Sequence, residues 1–157
     1  MDKRPSKGVK TVSPARLSSL NRRVIRTPAR PTVRSRVIVV TTNDMRACRW
    51  RAVLLRGHFS AVVANPDEVV SSLQAANAPN VVVLDMADPT FDGLALCRAL
   101  RSGEAKSAIM MLNPQGSLDD LLDGYEAGTD AYLTGNFDHK ELFERIEGLS
   151  WPQAISA

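Results

Sequence analysis

From residue 36 onward, short uninterrupted apolar runs alternate with longer segments whose apolar residues recur at helical spacing. The apolar runs have the length of strands and fall at residues 37–40, 60–64, 80–84, 109–112 and 131–133. Continuous apolar runs are typical of strands in a parallel sheet that is covered on both faces. The helical segments separate or follow them, at residues 44–56, 65–76, 93–101, 118–127 and 138–149. This alternation predicts right-handed crossovers and a five-stranded, doubly wound parallel α/β sheet.

The first predicted helix begins at or is capped by Asp44, and Gly57 is its stop signal. We expect its buried side to contain Met45, Cys48, Val53 and Leu54. Trp50 stands among arginines, so we expect this side chain to pack on a partly exposed flank. The two cysteines, Cys48 and Cys97, are expected to behave as buried small apolar residues rather than as a disulfide or a metal site.

The first 36 residues differ sharply in composition from the rest of the chain. The 157 residues carry a net charge of +3, but residues 1–36 hold eleven basic residues against one acidic residue, which gives +10. Residues 37–157 hold nine basic and sixteen acidic residues, which gives −7. The basic part has no aromatic residue and four of the nine prolines, so it cannot bury enough apolar surface to offset the entropy of ordering. We therefore predict a disordered basic tail at residues 1–35.

Three roles are open for this tail. It can serve as a linker, bind nucleic acid or another anionic surface through its charge, or act as an organellar targeting peptide. Two similar pieces, residues 13–16 and 27–30, look like the minor-groove elements of basic nucleic-acid-binding tails. The apolar runs are too short for a transmembrane helix, and no secretory signal is present. We therefore expect a cytoplasmic protein.

Polar residues follow the predicted strands at their carboxyl ends. Thr41 and Thr42 follow the first strand, Asp85 the third and Asn113 the fourth, and Thr134-Gly135 follows the fifth. In doubly wound sheets, ligands bind at this edge. The sequence therefore indicates a candidate site at these positions.

Residues 81–94 contain Asp85, Pro89 and Asp92-Gly93, and residues 124–133 end in the apolar run of the fifth predicted strand. Both segments resemble the receiver domain of bacterial two-component response regulators. Residues 81–94 are similar to the family's third strand and the loop after it, with Asp85 at the strand end, Pro89 four residues later, and Asp92-Gly93 opening the next helix. Residues 124–133 are similar to the end of the family's fourth helix and its fifth strand. The resemblance covers about residues 36–149 and implies the flavodoxin-like receiver fold.

The resemblance also implies roles for individual residues. Asp85 matches the aspartate that accepts a phosphoryl group from a histidine kinase, and Tyr132 matches the aromatic switch position. The family also uses an acidic pair that holds Mg²⁺, a hydroxyl residue and a lysine. In this sequence the acidic pair falls on Thr41 and Thr42, the hydroxyl residue on Asn113, and the lysine on Gly135. This loss of acids and of a cation predicts weakened Mg²⁺ binding and slow phosphorylation.

The leading hypothesis is a stand-alone pseudo-receiver that is not an enzyme, uses no cofactor, and binds a histidine kinase or a downstream signalling protein through its fourth helix, fifth strand and fifth helix. A second hypothesis is a working phosphoryl switch at Asp85, with metal help from Asp44 or Asp88. A third is binding of nucleic acid or an anionic surface through residues 1–35. A homodimer stays open. We expect residues 150–157 to form a short C-terminal tail without an output domain.

Overall fold

The computed structural model describes residues 34–73, 78–103 and 106–150. Five strands alternate with five helices along this part of the chain. The strands are β1 (Arg36–Val40), β2 (Ser60–Ala64), β3 (Val81–Asp85), β4 (Ala108–Asn113) and β5 (Ala131–Thr134). The helices are α1 (Asp44–Arg56), α2 (Pro66–Leu73), α3 (Gly93–Ser102), α4 (Leu118–Ala127) and α5 (His139–Ser150).

The five strands form one parallel sheet in the order β2-β1-β3-β4-β5. The central strand β3 pairs with β1 on one side and with β4 on the other, so that Leu84 lies beside Val40 and Asp85 beside Leu112. The chain reverses its direction of travel across the sheet between β1 and β3, and ligand sites of doubly wound sheets form at the carboxyl ends of the strands flanking such a point. The predicted five-stranded doubly wound α/β fold is confirmed.

Helices cover both faces of the sheet, and each face has its own apolar core. One core packs α1 and α5 against the sheet, with Trp50, Leu54 and Ile146 among its buried residues. The other packs α2, α3 and α4 against the opposite face, with Val69 and Cys97 among its members. Because strand residues alternate between these two cores, the strands read as continuous apolar runs in the sequence.

The predicted buried face of α1 is partly wrong. Val53 and Leu54 are buried as expected, but Met45 is 81% exposed and Cys48 is exposed as well. Trp50, expected on a partly exposed flank, is only 8% exposed. The reason is helical geometry, because residues 50, 53 and 54 lie on one side of a helix and residues 45 and 48 lie on another.

Local hydrogen bonds fix where the helices next to the sheet edge begin. Asn43, rather than Asp44, caps α1, and its side chain accepts from the backbone N–H of Arg46 at 3.1 Å. Ser117 and Asp120 form a capping box at the start of α4. Asp138 caps α5 as predicted, since its side chain accepts from the N–H of Glu141.

Two predicted segments lie largely outside the described residues. The basic tail predicted at residues 1–35 falls almost entirely before residue 34, and the C-terminal tail predicted at residues 150–157 falls almost entirely after residue 150. In the ranges 34–73, 78–103 and 106–150, no helix combines the length and the apolar character that crossing a membrane requires.

Candidate functional site

Asp85 is the last residue of β3, and its side chain is almost completely buried at the carboxyl edge of the sheet, with 1% of its surface exposed. A buried carboxylate is costly unless charged or hydrogen-bonding partners compensate for the lost water. The partners of Asp85 therefore decide what this site can do.

Arg46 of α1 forms a two-bond ion pair with Asp85. Its Nε donates to Oδ2 at 2.6 Å, and its Nη2 donates to Oδ1 at 2.8 Å. This is the fork geometry in which a guanidinium binds a carboxylate most strongly. The hydrogen bonds from Arg46 to Asp85 raise the pKa of the guanidinium above its ordinary value, so Arg46 is a permanent cation at the site.

Trp50 is the second partner of Asp85. Its indole Nε1–H donates to Oδ2 of Asp85 at 3.0 Å, and the backbone N–H of Ala87 donates to Oδ1 at 3.3 Å. Trp50 stands one turn after Arg46 on α1, so both side chains reach the carboxylate from the same helix face. A carboxylate has about four acceptor positions, and four donors from this chain occupy those of Asp85.

The two threonines at the end of β1 have partners of their own. Thr41 is buried, and its hydroxyl accepts from the N–H of Asn43 at 3.3 Å. Thr42 donates its hydroxyl to Asp88. Asp88 also accepts from the N–H and the hydroxyl of Thr90, at 2.9 and 2.7 Å. These bonds, that from Thr42 first, lower the pKa of Asp88, so this acid belongs to a hydrogen-bonded loop.

These residues do not fit a magnesium site of the family's kind. Mg²⁺ needs carboxylate oxygens with room for several waters, but the acceptor positions of Asp85 are taken by N–H donors. Thr41 and Thr42 supply no charge. In the part of the chain that the structure describes, no three acidic, His or Cys side chains come close enough to hold a metal ion.

Asn113, the last residue of β4, forms a hydrogen-bonded pair with Tyr132 of β5. The Asn113 side-chain amide donates to the Tyr132 hydroxyl at 2.9 Å. Tyr132 is buried, and burial raises the pKa of its hydroxyl. Its ring lies close to Gly124 of α4, where an added Cβ would come within 2.8 Å of ring carbons. Glycine at this position therefore allows the ring to pack inward against α4.

Gly135 follows β5 in a left-handed conformation, with φ of 73°. Its N–H donates to the carbonyl of Pro114 at 3.1 Å, and the hydroxyl of Thr134 donates to the carbonyl of Gly116 at 2.8 Å. Glycine adopts this conformation without strain and supplies no cation. The two bonds tie the end of β5 to the loop between β4 and α4.

The structure thus brings together some of the predicted site residues and adds two that the sequence did not indicate. Asp85 and Asn113 are the last residues of β3 and β4, Tyr132 lies within β5 and contacts Asn113, and Arg46 and Trp50 are new members of the site. The available signal was their spacing of four residues on the helix after β1, which places a cation and an indole donor on one helix face.

Comparisons with known proteins agree with this architecture. Residues 37–147 match the family described as the response regulator receiver domain. The transcriptional regulatory protein TcrA of Mycobacterium tuberculosis is 34% identical over 116 residues, which are 73% of this chain and 46% of that protein. The response regulator MprA of Mycobacterium sp. (strain KMS) is 36% identical over 115 residues, 72% of this chain and 50% of that protein. The chain thus spans about half the length of these relatives.

Solved structures show the same fold. A putative response regulator from Chloroflexus aurantiacus superposes with a TM-score of 0.66 at 26% identity, covering 75% of this chain and 98% of that one. The receiver domain of a Pseudomonas aeruginosa sensor histidine kinase, solved with a magnesium ion coordinated in its active site cleft, gives a TM-score of 0.64 at 19% identity, with 75% and 98% coverage. The family match over residues 37–147, the strand order and these relatives establish that the chain belongs to the response regulator receiver domain family of two-component signalling.

Proposed function

We propose that this chain is a pseudo-receiver, a receiver domain that signals by binding a protein partner without phosphorylation of Asp85. The observation that carries the proposal is the ion pair between Arg46 and Asp85, with Trp50 as an additional donor. In this function Asp85 is a structural carboxylate, and Thr41, Thr42, Asn113 and Gly135 are positions that have lost their role in phosphoryl transfer.

The hydrogen bonds that Asp85 accepts support the proposal, because they should slow its phosphorylation. An Asp85 oxygen that attacks phosphorus must first lose its N–H donors, and hydrogen bonds to charged groups are worth about 1.5–3 kcal/mol each. Since each 1.4 kcal/mol in a barrier changes a rate about tenfold, losing one such bond alone slows attack by about one to two orders of magnitude. The ion pair thus opposes the reaction at the nucleophile itself.

The loss of the lysine acts in the same direction. Phosphoryl transfer depends on positive charge beside the phosphoryl oxygens, and Gly135 stands where the family has a lysine. Removing one electrostatic stabiliser from an active site costs about 3–4 kcal/mol. Arg46 does not substitute for it, because both of its donor nitrogens that reach the site are bound to Asp85.

The hydrogen bonds around the loop between β4 and α4 also support the proposal. They should hold the proposed partner-binding face, formed by α4, β5 and α5, in a single conformation. Three hydrogen bonds tie this loop and the end of β4 to β5 and the residue that follows it. They involve the Asn113–Tyr132 pair, the Thr134 hydroxyl and the Gly135 N–H. In a receiver that responds to phosphate, a residue at the position of Asn113 has to be free to reach the phosphoryl group. Here its amide already holds Tyr132, the residue at the aromatic switch position.

The proposed partner is a histidine kinase or a downstream signalling protein, bound through α4, β5 and α5 in the cytoplasm. The names of TcrA and MprA, a transcriptional regulatory protein and a response regulator, support a place in the same kind of pathway. Binding of nucleic acid by residues 1–35 stays a prediction, since nearly all of these residues lie outside the described ranges.

Titration with Mg²⁺ and beryllofluoride, a mimic of the phosphoryl group, tests the proposal. The readout is the indole N–H resonance of Trp50 in the NMR spectrum of the full chain, because this proton points at Asp85. We expect no saturable shift, and the same spectrum for the Asp85→Asn variant with and without the reagents. A saturable, Mg²⁺-dependent shift that Asp85→Asn abolishes would contradict the pseudo-receiver and support the phosphoryl switch.

A further inference from the structure

Two helices on opposite faces of the sheet carry outward surfaces of opposite charge. Helix α1 packs in one apolar core, and helix α4 packs in the other. Helix α1 contains arginines at positions 46, 49, 51 and 56 with one acid, Asp44, in its first turn, whereas α4 contains four acids and no basic residue. These two helices are therefore opposite in charge.

The basic face of α1 consists of an exposed apolar strip with arginines on both sides. Cys48, Ala52 and Leu55 follow one another at helical spacing and are all exposed. The arginines that flank this strip are also exposed, and they are Arg49, Arg51 and Arg56. Among the residues that the structure describes, none of the three has an acidic side chain within ion-pair distance.

Helix α4 also has an exposed apolar strip, with acids along one side of it. The apolar strip of α4 has the same spacing as that of α1. It consists of Leu118, Leu122 and Tyr125, which are 71%, 56% and 46% exposed. The next strip around the helix is acidic and consists of Asp119, Asp123 and Glu126. Within residues 34–73, 78–103 and 106–150, these acids make no ion pair. Each face thus offers apolar area beside charges that nothing in the described chain neutralises.

We infer that a second copy of this chain is the occupant of both faces, so that α1 of one molecule packs on α4 of the next. The two apolar strips have matching spacing, and the arginines that flank one strip are opposite in charge to the acids that flank the other. Opposite charge aligned beside apolar contact is the arrangement that gives protein interfaces their specificity. This inference does not depend on whether Asp85 is phosphorylated, and under it a second copy competes with the proposed signalling partner for α4.

The position of the helices dictates a head-to-tail assembly. Because α1 and α4 lie on opposite faces of the sheet, one pair of molecules cannot form two α1–α4 contacts at once around a two-fold axis. The contact is therefore heterologous, and successive contacts make rings or open chains rather than a closed symmetric dimer. Charge screening should weaken it, so association falls as salt rises.

Sedimentation velocity of the full chain tests the inference. We expect association that grows with concentration up to about 0.5 mM, where even a dissociation constant of about 1 mM gives detectable dimer, and that decreases at high salt. A variant that neutralises α1 with Arg49→Gln, Arg51→Gln and Arg56→Gln should associate at least about tenfold more weakly. The matched control removes three positive charges elsewhere, by Arg98→Gln, Lys140→Gln and Arg145→Gln, and should associate like the unmodified chain.

A mixing experiment distinguishes head-to-tail contact from other modes. A second variant neutralises α4 with Asp119→Asn, Asp123→Asn and Glu126→Gln, and alone it should associate as weakly as the α1 variant. The α4 variant retains an intact α1 face, and the α1 variant retains an intact α4 face. A mixture of the two variants should therefore form a one-to-one dimer and nothing larger. A chain that stays monomeric at low salt, or single variants that associate as well as the unmodified chain, would overturn the inference.

Discussion

Arg46 donates two hydrogen bonds, of 2.6 and 2.8 Å, to the two carboxylate oxygens of Asp85, and it reaches them from the helix that follows the neighbouring strand. A cation of the chain itself therefore stands beside the residue that the family phosphorylates. The contact neutralises a carboxylate that is almost without access to water, and it does so without a metal ion.

Removing the cation should destabilise the fold. Arg46→Met leaves Asp85 buried without its ionic partner, and we expect a loss of about 2–4 kcal/mol in the free energy of unfolding. Urea denaturation of the single variants Arg46→Met and Asp85→Asn and of the double variant should give a coupling energy of about 1.5–3 kcal/mol. The exposed pair Lys140–Glu144, at 3.8 Å, is the control and should give less than about 0.5 kcal/mol. Equal coupling in the two pairs would contradict a structural role for the buried pair.

Relocating the charges should create a metal site. The variant Thr41→Asp/Thr42→Asp/Arg46→Ala places two carboxylates beside Asp85 and removes the competing cation, so we expect it to bind Mg²⁺ in calorimetry. Thr41→Asp/Thr42→Asp with Arg46 in place should bind at least about tenfold more weakly, because the cation repels the metal. Equal Mg²⁺ affinity of the two variants would show that Arg46 does not control the site.

Most of the fold could be predicted from the sequence, but the environment of Asp85 could not. The helices and strands are marked by local signals, namely continuous apolar runs and the glycine and cap residues at the ends of helices. Elements such as Asp44–Arg56 and Leu118–Ala127 therefore lie at or close to their predicted positions. The face of α1 that turns inward is decided by tertiary packing. The predicted positions of Met45 and Trp50 are therefore wrong, and the sequence does not predict the contact of Arg46 with a residue 39 positions away.

The pair between Asn113 and Tyr132 should hold the tyrosine ring in place. Asn113→Ala and Tyr132→Phe each remove this hydrogen bond, and we expect each to cost about 0.5–1.5 kcal/mol of stability. Thermal or urea unfolding measures the cost, and the double variant should cost less than the sum of the two. Fully additive costs would mean that the two side chains do not act together.

Acid should weaken the loop after β3. The hydrogen bonds from Thr42 and Thr90 lower the pKa of Asp88 below its ordinary value. A carboxyl whose pKa is lower in the folded state stabilises the fold above its unfolded pKa, and this contribution is lost as the pH falls through the folded value. Asp88→Asn should therefore show a shallower loss of stability in urea unfolding between about pH 5 and pH 2. Thr42→Val, which removes the first donor, should change the slope in the same direction. An unchanged slope in both variants would contradict this role.

The most direct test of a receiver that works without phosphorylation is intact mass spectrometry of the full chain after incubation with acetyl phosphate and Mg²⁺. Because Asp85 is bound to Arg46 and Trp50 and lacks the acids that would hold the metal, we predict that the unmodified mass persists, as in the Asp85→Asn variant. A Mg²⁺-dependent gain of one phosphoryl group that disappears in Asp85→Asn would contradict the pseudo-receiver.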